Sequence, residues 1–388
     1  MAEPFPASIR ERLIGADPVP WLLSGDEPAA TWHTLTAVCG LPLTDERVAA
    51  AHAATLADPA TENLLHRIGD WYAPGRISGH DAPAFLPNLL SLLADMGLGA
   101  DDDPRLAPTL EAMASHQDDD GRFCARLDSP RLPGVHWTSL LCDTHAITGV
   151  LARFGLGSDP RVRRASGQML SDMTATEQGQ AWPCLPDPES GFRGPGRKAD
   201  MCPQVTAEAL RALSDIPEPT LAELGLDPDH RDGQNDSIDA AVGSLLAAWL
   251  ERGARRPYMF GHGRHFKQAK WPLNWYNSVT VLDAVGRYPL SWLPPSAPEA
   301  RTQAVAQLAA CVIAYNLDPT TGRCAPRSCF RSFETFSFGQ KKHASPFATA
   351  RVLGVLARVA SLTEQIVKVD VRELASSKGG SGRALPPS

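Results

Sequence analysis

CPQVTAEALRALSDIP, residues 202–217, decides how this chain is read. Its apolar residues fall at three- and four-residue intervals, its charges are few, and Pro217 closes it, which is the pattern of a mostly buried helix with a defined stop. Four further stretches repeat it: PAFLPNLLSLLADMG (83–97), CDTHAITGVLARFG (142–155), WYNSVTVLDAVGRYP (275–289) and HASPFATARVLGVLARV (343–359). Between them run more polar segments of helical period, DPRLAPTLEAMASHQ (103–117), DPRVRRASGQMLSDM (159–173), DSIDAAVGSLLAAWLER (236–252) and APEARTQAVAQLAACVIAY (297–315). Short turns rich in Gly and aromatic residues recur as well: HRIGDW (66–71), HQDDDGRF (116–123), EQGQAW (177–182) and LDPTTGRC (317–324). One apolar inner helix and one amphipathic outer helix per unit predict an all-α fold, an α/α toroid, because a closed ring lets each unit cover its neighbour's apolar face. Residues 1–365 are expected to form one domain, with 1–65 as N-terminal capping helices. The tail 366–388, ending SSKGGSGRALPPS, reads as disordered.

Composition narrows the function classes. The 388 residues carry 37 basic against 44 acidic side chains, a formal charge of −7, so no general attraction to nucleic acid or to an anionic membrane is expected. The stretch MAEPFPASIRERLIG has no apolar signal-peptide core, and no window reaches the roughly 18 apolar residues of a membrane span, so a cytoplasmic location is expected. The eight cysteines read as thiols or ligands rather than as a disulfide framework.

The chemistry-bearing residues cluster at one point of the repeat. Asp200 and Cys202 open one apolar helix, His343 opens another, and Cys142 with His145 opens a third. Stacked in a ring, these starts converge on one mouth, and converging Asp, Cys and His side chains are a candidate metal site. A second solution uses Cys142, Cys184, Cys202 and a histidine, with Asp200 behind them. Mixed Asp, Cys and His sets of this kind accept zinc, iron, cobalt or copper. Buried thiols and helix-capping polar groups are the competing explanation for the whole set.

The helix pairs and the turns of Gln-x-x-Asp-Gly-aromatic style resemble the α/α toroid shared by terpenoid cyclases and the β subunits of protein prenyltransferases, over roughly residues 60–360. GFRGPGRKADMC (191–202) is similar to the prenyltransferase segment in which a Gly-Phe-x-Gly turn and basic residues lead into Asp-x-Cys, both zinc ligands. The resemblance implies a zinc enzyme with Asp200, Cys202 and His343 at its catalytic centre. It implies that Arg193, Arg197 and Lys198 hold a prenyl diphosphate, and a cavity for an isoprenoid or other apolar substrate; Arg264, in the basic segment 251–278, is a further candidate for orienting the anionic group, and Trp275 and Tyr276 lie near the expected mouth. It also raises a helical partner subunit. Three features depart from the family: no Asp-x-Asp-Asp of the proton-initiated cyclases occurs, no Asp-Asp-x-x-Asp occurs, and Pro203 follows Cys202 where prenyltransferases carry an aromatic residue. A toroid that binds a peptide or lipid without chemistry, and a metalloenzyme of an unrelated pathway, are the alternatives. The segment 251–278, dense in Arg, His, Lys and aromatic residues, would supply cations for an anionic head group.

Overall fold

The computed structural model describes residues 5–72, 82–127, 134, 136–185, 187, 200–226, 236–251 and 266–374. Helices dominate it. In chain order they are α1 (Ala7–Ile14), α2 (Val19–Ser24), α3 (Pro28–His33), α4 (Glu46–Leu56), α5 (Pro59–Leu65), α6 (Leu86–Asp95), α7 (Leu106–Ala114), α8 (Leu141–Leu151), α9 (Pro160–Ser171), α10 (Pro203–Ser214), α11 (Glu218–Glu223), α12 (Asp236–Leu250), α13 (Ser278–Gly286), α14 (Glu299–Asn316), α15 (Pro346–Ala357) and α16 (Thr363–Ile366). The five apolar segments hold α6, α8, α10, α13 and α15, and the four polar ones hold α7, α9, α12 and α14. Local chemistry fixes the starts. Asp45, Asp58 and Asp159 cap α4, α5 and α9, Asn277 forms a capping box with Thr280 at α13, and proline occupies the first turn of α6, α10 and α15.

Three of the four recurrent turns are small antiparallel pairings with Gly in the left-handed region. Gln117 pairs with Phe123 around Gly121 (φ 99°), and Leu317 pairs with Cys324 around Gly322 (φ 66°). Other strands are equally short: β1 (Ala125–Leu127) with β2 (His136–Thr138), β3 (Thr174–Thr176) with β4 (Gly179–Ala181), and β5 (Lys270–Trp271) parallel to β6 (Ser328–Cys329). The last residue of each turn is fastened to the helix that follows it. Thr144 Oγ1 donates to the Phe123 carbonyl (2.9 Å), Thr206 Oγ1 to the Trp182 carbonyl (3.3 Å), and the Cys324 N–H donates to Thr349 Oγ1 (2.9 Å). All three threonines are fully buried and stand four residues after the helix cap. A hydroxyl is the one small group that both packs there and satisfies a turn's stranded backbone atom, at about 1 kcal/mol per bond.

The apolar helices pack in succession, α6 on α8, α8 on α10, α10 on α13, and α13 on α15. α15 then packs on α3 and on the π-helical turn Thr34–Val38 that follows it. α3 meets the end of α6 through Trp32, against which a β-carbon at Gly97 would lie 2.6 Å away, so this crossing requires glycine. Glu27, just before α3, accepts hydrogen bonds from Ser337 Oγ (2.9 Å) and from the Phe347 N–H (3.1 Å) at the head of α15. The outer helices pack behind: α9 on α8, α12 on α10 and α14 on α13. Residues beyond α16 do not leave the body at once, since Val369, Val371 and Leu374 pack on the core, while 375–388 lie outside the described residues. No described helix is long and apolar enough to cross a membrane.

Toward the C-terminal ends of the inner helices lies a buried layer of charge. Asp283 on α13 pairs with Arg211 (3.1 Å), Arg287 (3.3 Å) and Arg358 (3.1 Å), and Asp95 on α6 pairs with Arg153 (2.6 Å) and Arg351 (3.0 Å). Arg287 reaches on to Asp215 (2.7 Å). Burial opposes ionisation of Asp283, yet Arg287, Arg358 and Arg211 outweigh it and hold the carboxyl well below the usual carboxylate range. Burial, with Arg351 beside it, pushes His33 of α3 down to about 3, so the layer contains a neutral imidazole.

Asp283→Asn should lower unfolding stability in urea by about 3–5 kcal/mol, because it leaves buried guanidinium groups without their counter-charge. The folded value of Asp283 is depressed, so its contribution is fully present above the unfolded value of about 3.9 and is lost as pH falls through the folded value. The gap between wild type and variant should therefore be constant above about pH 4 and close below it. A gap independent of pH would assign the loss to packing.

Candidate functional site

Helices α6, α8 and α10, with the segment 272–275 ahead of α13, line a small recess of about 60 Å³ that is partly open to solvent. The resemblance implies an apolar interior, and about half of this lining is polar. On α10 the residues Gln204, Glu208, Arg211 and Asp215 follow one another at helical spacing and form a single stripe along the cavity. Asn88, Ser91 and Asp95 on α6 form a second such stripe.

Glu208 is held from one side. Gln204 Oε1 accepts the backbone N–H of Tyr276 (2.6 Å), which orients the amide so that its Nε2 donates to Glu208 Oε1. The other carboxyl oxygen, Oε2, is buried and has no hydrogen-bond partner among the described residues. Burial pushes Glu208 up to about 8, against the opposing pull of Arg211 and Gln204, so it is a neutral acid at pH 7. Asp143 on α8 is likewise raised by burial, to about 7. Asn274 is 7% exposed, and its Nδ2 is buried without an acceptor.

The thiols meet at the starts of α8 and α10. Pro183 pairs with Met201 in an antiparallel bridge, and the Cys202 N–H donates to the Trp182 carbonyl (2.8 Å). Alternation along the two strands puts the side chains of Trp182, Cys184, Asp200 and Cys202 on the same face. There Cys184 and Cys202 interact, which favours the proton staying on Cys202 and eases its loss from Cys184. Cys142, raised by burial and by Asp143, is close enough to feel the charge of Cys184 and Glu208. His145 is fully buried and neutral, lowered to about 4 by burial, with Nδ1 bonded to the Val205 carbonyl (3.1 Å) and its ring edge-on to Trp182. Its Nδ1 is therefore the protonated nitrogen.

The set expected at the metal centre divides. Cys202 caps α10 as expected and Asp200, 1% exposed, lies beside it, but His343 is exposed and shares no described contact with either. The reason is local. Ser345, not His343, caps α15, its Oγ accepting the Ala348 N–H, so the helix begins at Pro346 and His343 stays in the preceding turn. Among the described residues no three His, Cys, Asp or Glu side chains form a metal-holding group. Arg193, Arg197, Lys198 and Arg264 lie outside the described residues. Of the two aromatic residues expected at the mouth, Trp275 lines the cavity and Tyr276 contributes its backbone N–H to Gln204. Glu208, Gln204, Arg211 and Asn274 were passed over in the sequence, although the polar stripe on α10 is legible there. Neither a family model nor a curated protein matches the chain.

Glu208 offers a check on this geometry. Between its unfolded value of about 4.3 and its folded value of about 8 only the unfolded chain ionises, so its contribution to stability falls as pH rises. Glu208→Gln keeps the shape and removes the titration. Its advantage over wild type in urea unfolding should be absent below about pH 4 and grow toward pH 8, whereas a constant difference would mean that Glu208 is ionised in the folded protein.

Proposed function

We propose that the chain is an α/α toroid of the terpenoid cyclase and prenyltransferase type, acting as an enzyme on a small molecule held in the cavity between α6, α8 and α10. The succession α6, α8, α10, α13, α15 and α3, returning to α6 at Trp32 and Gly97, supports the toroid. The observation that carries the enzyme reading is Glu208, a carboxylic acid pushed up to about 8 by burial and lining the recess between these helices. An acid kept protonated at neutral pH by burial is suited to giving a proton to a bound molecule, with Gln204 fixing Oε1 and leaving Oε2 to carry the proton. The charged lining favours a substrate with polar groups over the bare isoprenoid chain that the resemblance implies.

The contact between Cys184 and Cys202 favours a second component, a zinc ion on these thiols with Cys142 or Asp200 as further donors. Zinc there would supply an open position that activates a thiolate or water or polarises a substrate oxygen. Asp200 and Cys202 keep the role that the resemblance implies, while the exposure of His343 weighs against it as the third ligand. A toroid that only binds a peptide or lipid is the reading that remains if Glu208 proves idle.

Candidate substrates incubated with wild type and Glu208→Gln, with products read by mass spectrometry, test the acid. The variant should bind as wild type does and lose roughly a hundredfold or more in turnover. Equal turnover would remove Glu208 from the chemistry. Elemental analysis of purified protein tests the metal: about one equivalent of zinc should be present in wild type and His343→Ala and lost in Cys184→Ala and Cys202→Ala. Metal lost from His343→Ala alone would restore the histidine, and none in wild type would remove zinc.

A further inference from the structure

The segment 326–345, between the last recurrent turn and α15, is fastened from within and bare on its outer side. Phe333, Phe336 and Phe338 are buried, and the Phe338 ring packs on Phe347 (centroids 5.8 Å apart) and on Trp271 (6.0 Å). The Phe330 N–H donates to the Trp271 carbonyl (2.7 Å) and the Lys342 N–H to the Pro326 carbonyl (3.2 Å), which brings the two ends of the segment together. A β-carbon at Gly339 would strike the Phe333 carbonyl, so that crossing requires glycine. Outside this frame stand Arg327, Arg331, Lys341 and Lys342, all exposed. Lys270 of β5 lies beside them, opposite Ser328, with its Nζ 3.7 Å from the centre of the Phe330 ring.

Exposed cations elsewhere on the protein are answered by carboxylates. Arg47, Arg163 and Arg372 pair with Asp45 (2.9 Å), Glu223 (2.6 Å) and Asp370 (2.7 Å). Arg327, Arg331, Lys341 and Lys342 have no carboxylate partner among the described residues, and the segment's one acid, Glu334, lies toward Arg67. Ser332 and Lys342 are also the two non-glycine residues with left-handed backbone (φ 73° each) among the described residues, one following Arg331 and the other itself in the group. Such backbone is disfavoured, and here the aromatic packing beneath sustains it where the cations are presented. The partner's chemistry follows from what this surface offers. Guanidinium and ammonium groups without acceptors beside them recognise carboxylates and phosphates. None of the exposed large apolar side chains described lies in the segment, its phenylalanines 333, 336 and 338 are buried, and Lys270 covers the Phe330 ring. The surface therefore lacks the bare aromatic faces that stack bases and the apolar side chains that enter a bilayer. We propose that it docks an acidic segment of a partner protein, whose Asp and Glu carboxylates take up Arg327, Arg331, Lys341 and Lys342. None of these cations lines the recess between α6, α8 and α10, so the docking surface stands or falls independently of the enzyme reading.

The test titrates the full chain into a fluorescent octaglutamate peptide, read by polarisation, beside a labelled oligothymidine and vesicles of phosphatidylserine with phosphatidylcholine. Saturable peptide binding is expected at low salt, weakening about tenfold or more as sodium chloride rises toward about 0.5 M. The combined variant Arg327→Gln, Arg331→Gln, Lys341→Gln and Lys342→Gln should lose about tenfold or more in affinity. A second combined variant, Arg12→Gln, Arg47→Gln, Arg163→Gln and Arg372→Gln, removes the same charge from exposed sites elsewhere and should bind as wild type does. All eight side chains are exposed, and circular dichroism checks that both variants fold. Equal weakening in the two variants would reduce the effect to net charge and overturn the proposal, as would no saturable binding of the peptide. Tighter binding of the oligothymidine or of the vesicles would overturn it in favour of a nucleic acid or a membrane. A salt-sensitive dimer in sedimentation, lost in the first variant alone, would overturn it in favour of a second copy of this chain.

Discussion

The pairing of Asp283 with Arg211, Arg287 and Arg358 is the constraint on which the rest of the structure depends. It joins α10, α13 and the end of α15, while Asp95 joins α6, the residue after α8, and α15. Charges taken out of water tolerate few arrangements, because each lost neighbour leaves an ion unsolvated. Apolar helices could slide past one another by a turn at modest cost. With their arginines committed to shared carboxylates they cannot, and the cavity beside the layer inherits its shape from that restriction.

The polar and the apolar parts of the sequence were legible to different degrees. Period and helix-stopping residues place α6, α8, α10, α13 and α15, because a buried helix writes its pattern within fifteen residues. The threonines 144, 206 and 349 also stand at a fixed distance from each helix start, yet a threonine in an apolar helix reads as neutral until its turn partner is known. Arg153, Arg211 and Arg351 look like solvated charges for the same reason. Their partners are distant in sequence, and nothing local distinguishes an arginine facing water from one facing an aspartate on another helix.

The candidate site shows where position along a repeat misleads. His343 precedes an apolar run as Cys142 and Cys202 do, but the chain has a better cap two residues later in Ser345, and the helix takes it. Cys202 has no such competitor and stays at the cap, beside Cys184. The thiols at the helix starts and the acid, amide and guanidinium groups along α10 are thus two chemical neighbourhoods on one helix, separated by about two turns. Glu208 links them, since it senses both Arg211 and Asp143.

Glu27 meets Ser337 and the head of α15 across more than 300 residues of chain. A growing polypeptide cannot make that contact until almost all of it has left the ribosome, and synthesis proceeds at roughly 5–20 residues per second. Until then the face of α3 that α15 later covers is bare. A protein whose early helices pack against its last ones carries a sticky early half for much of its own translation, which makes chaperone capture a foreseeable part of its biogenesis.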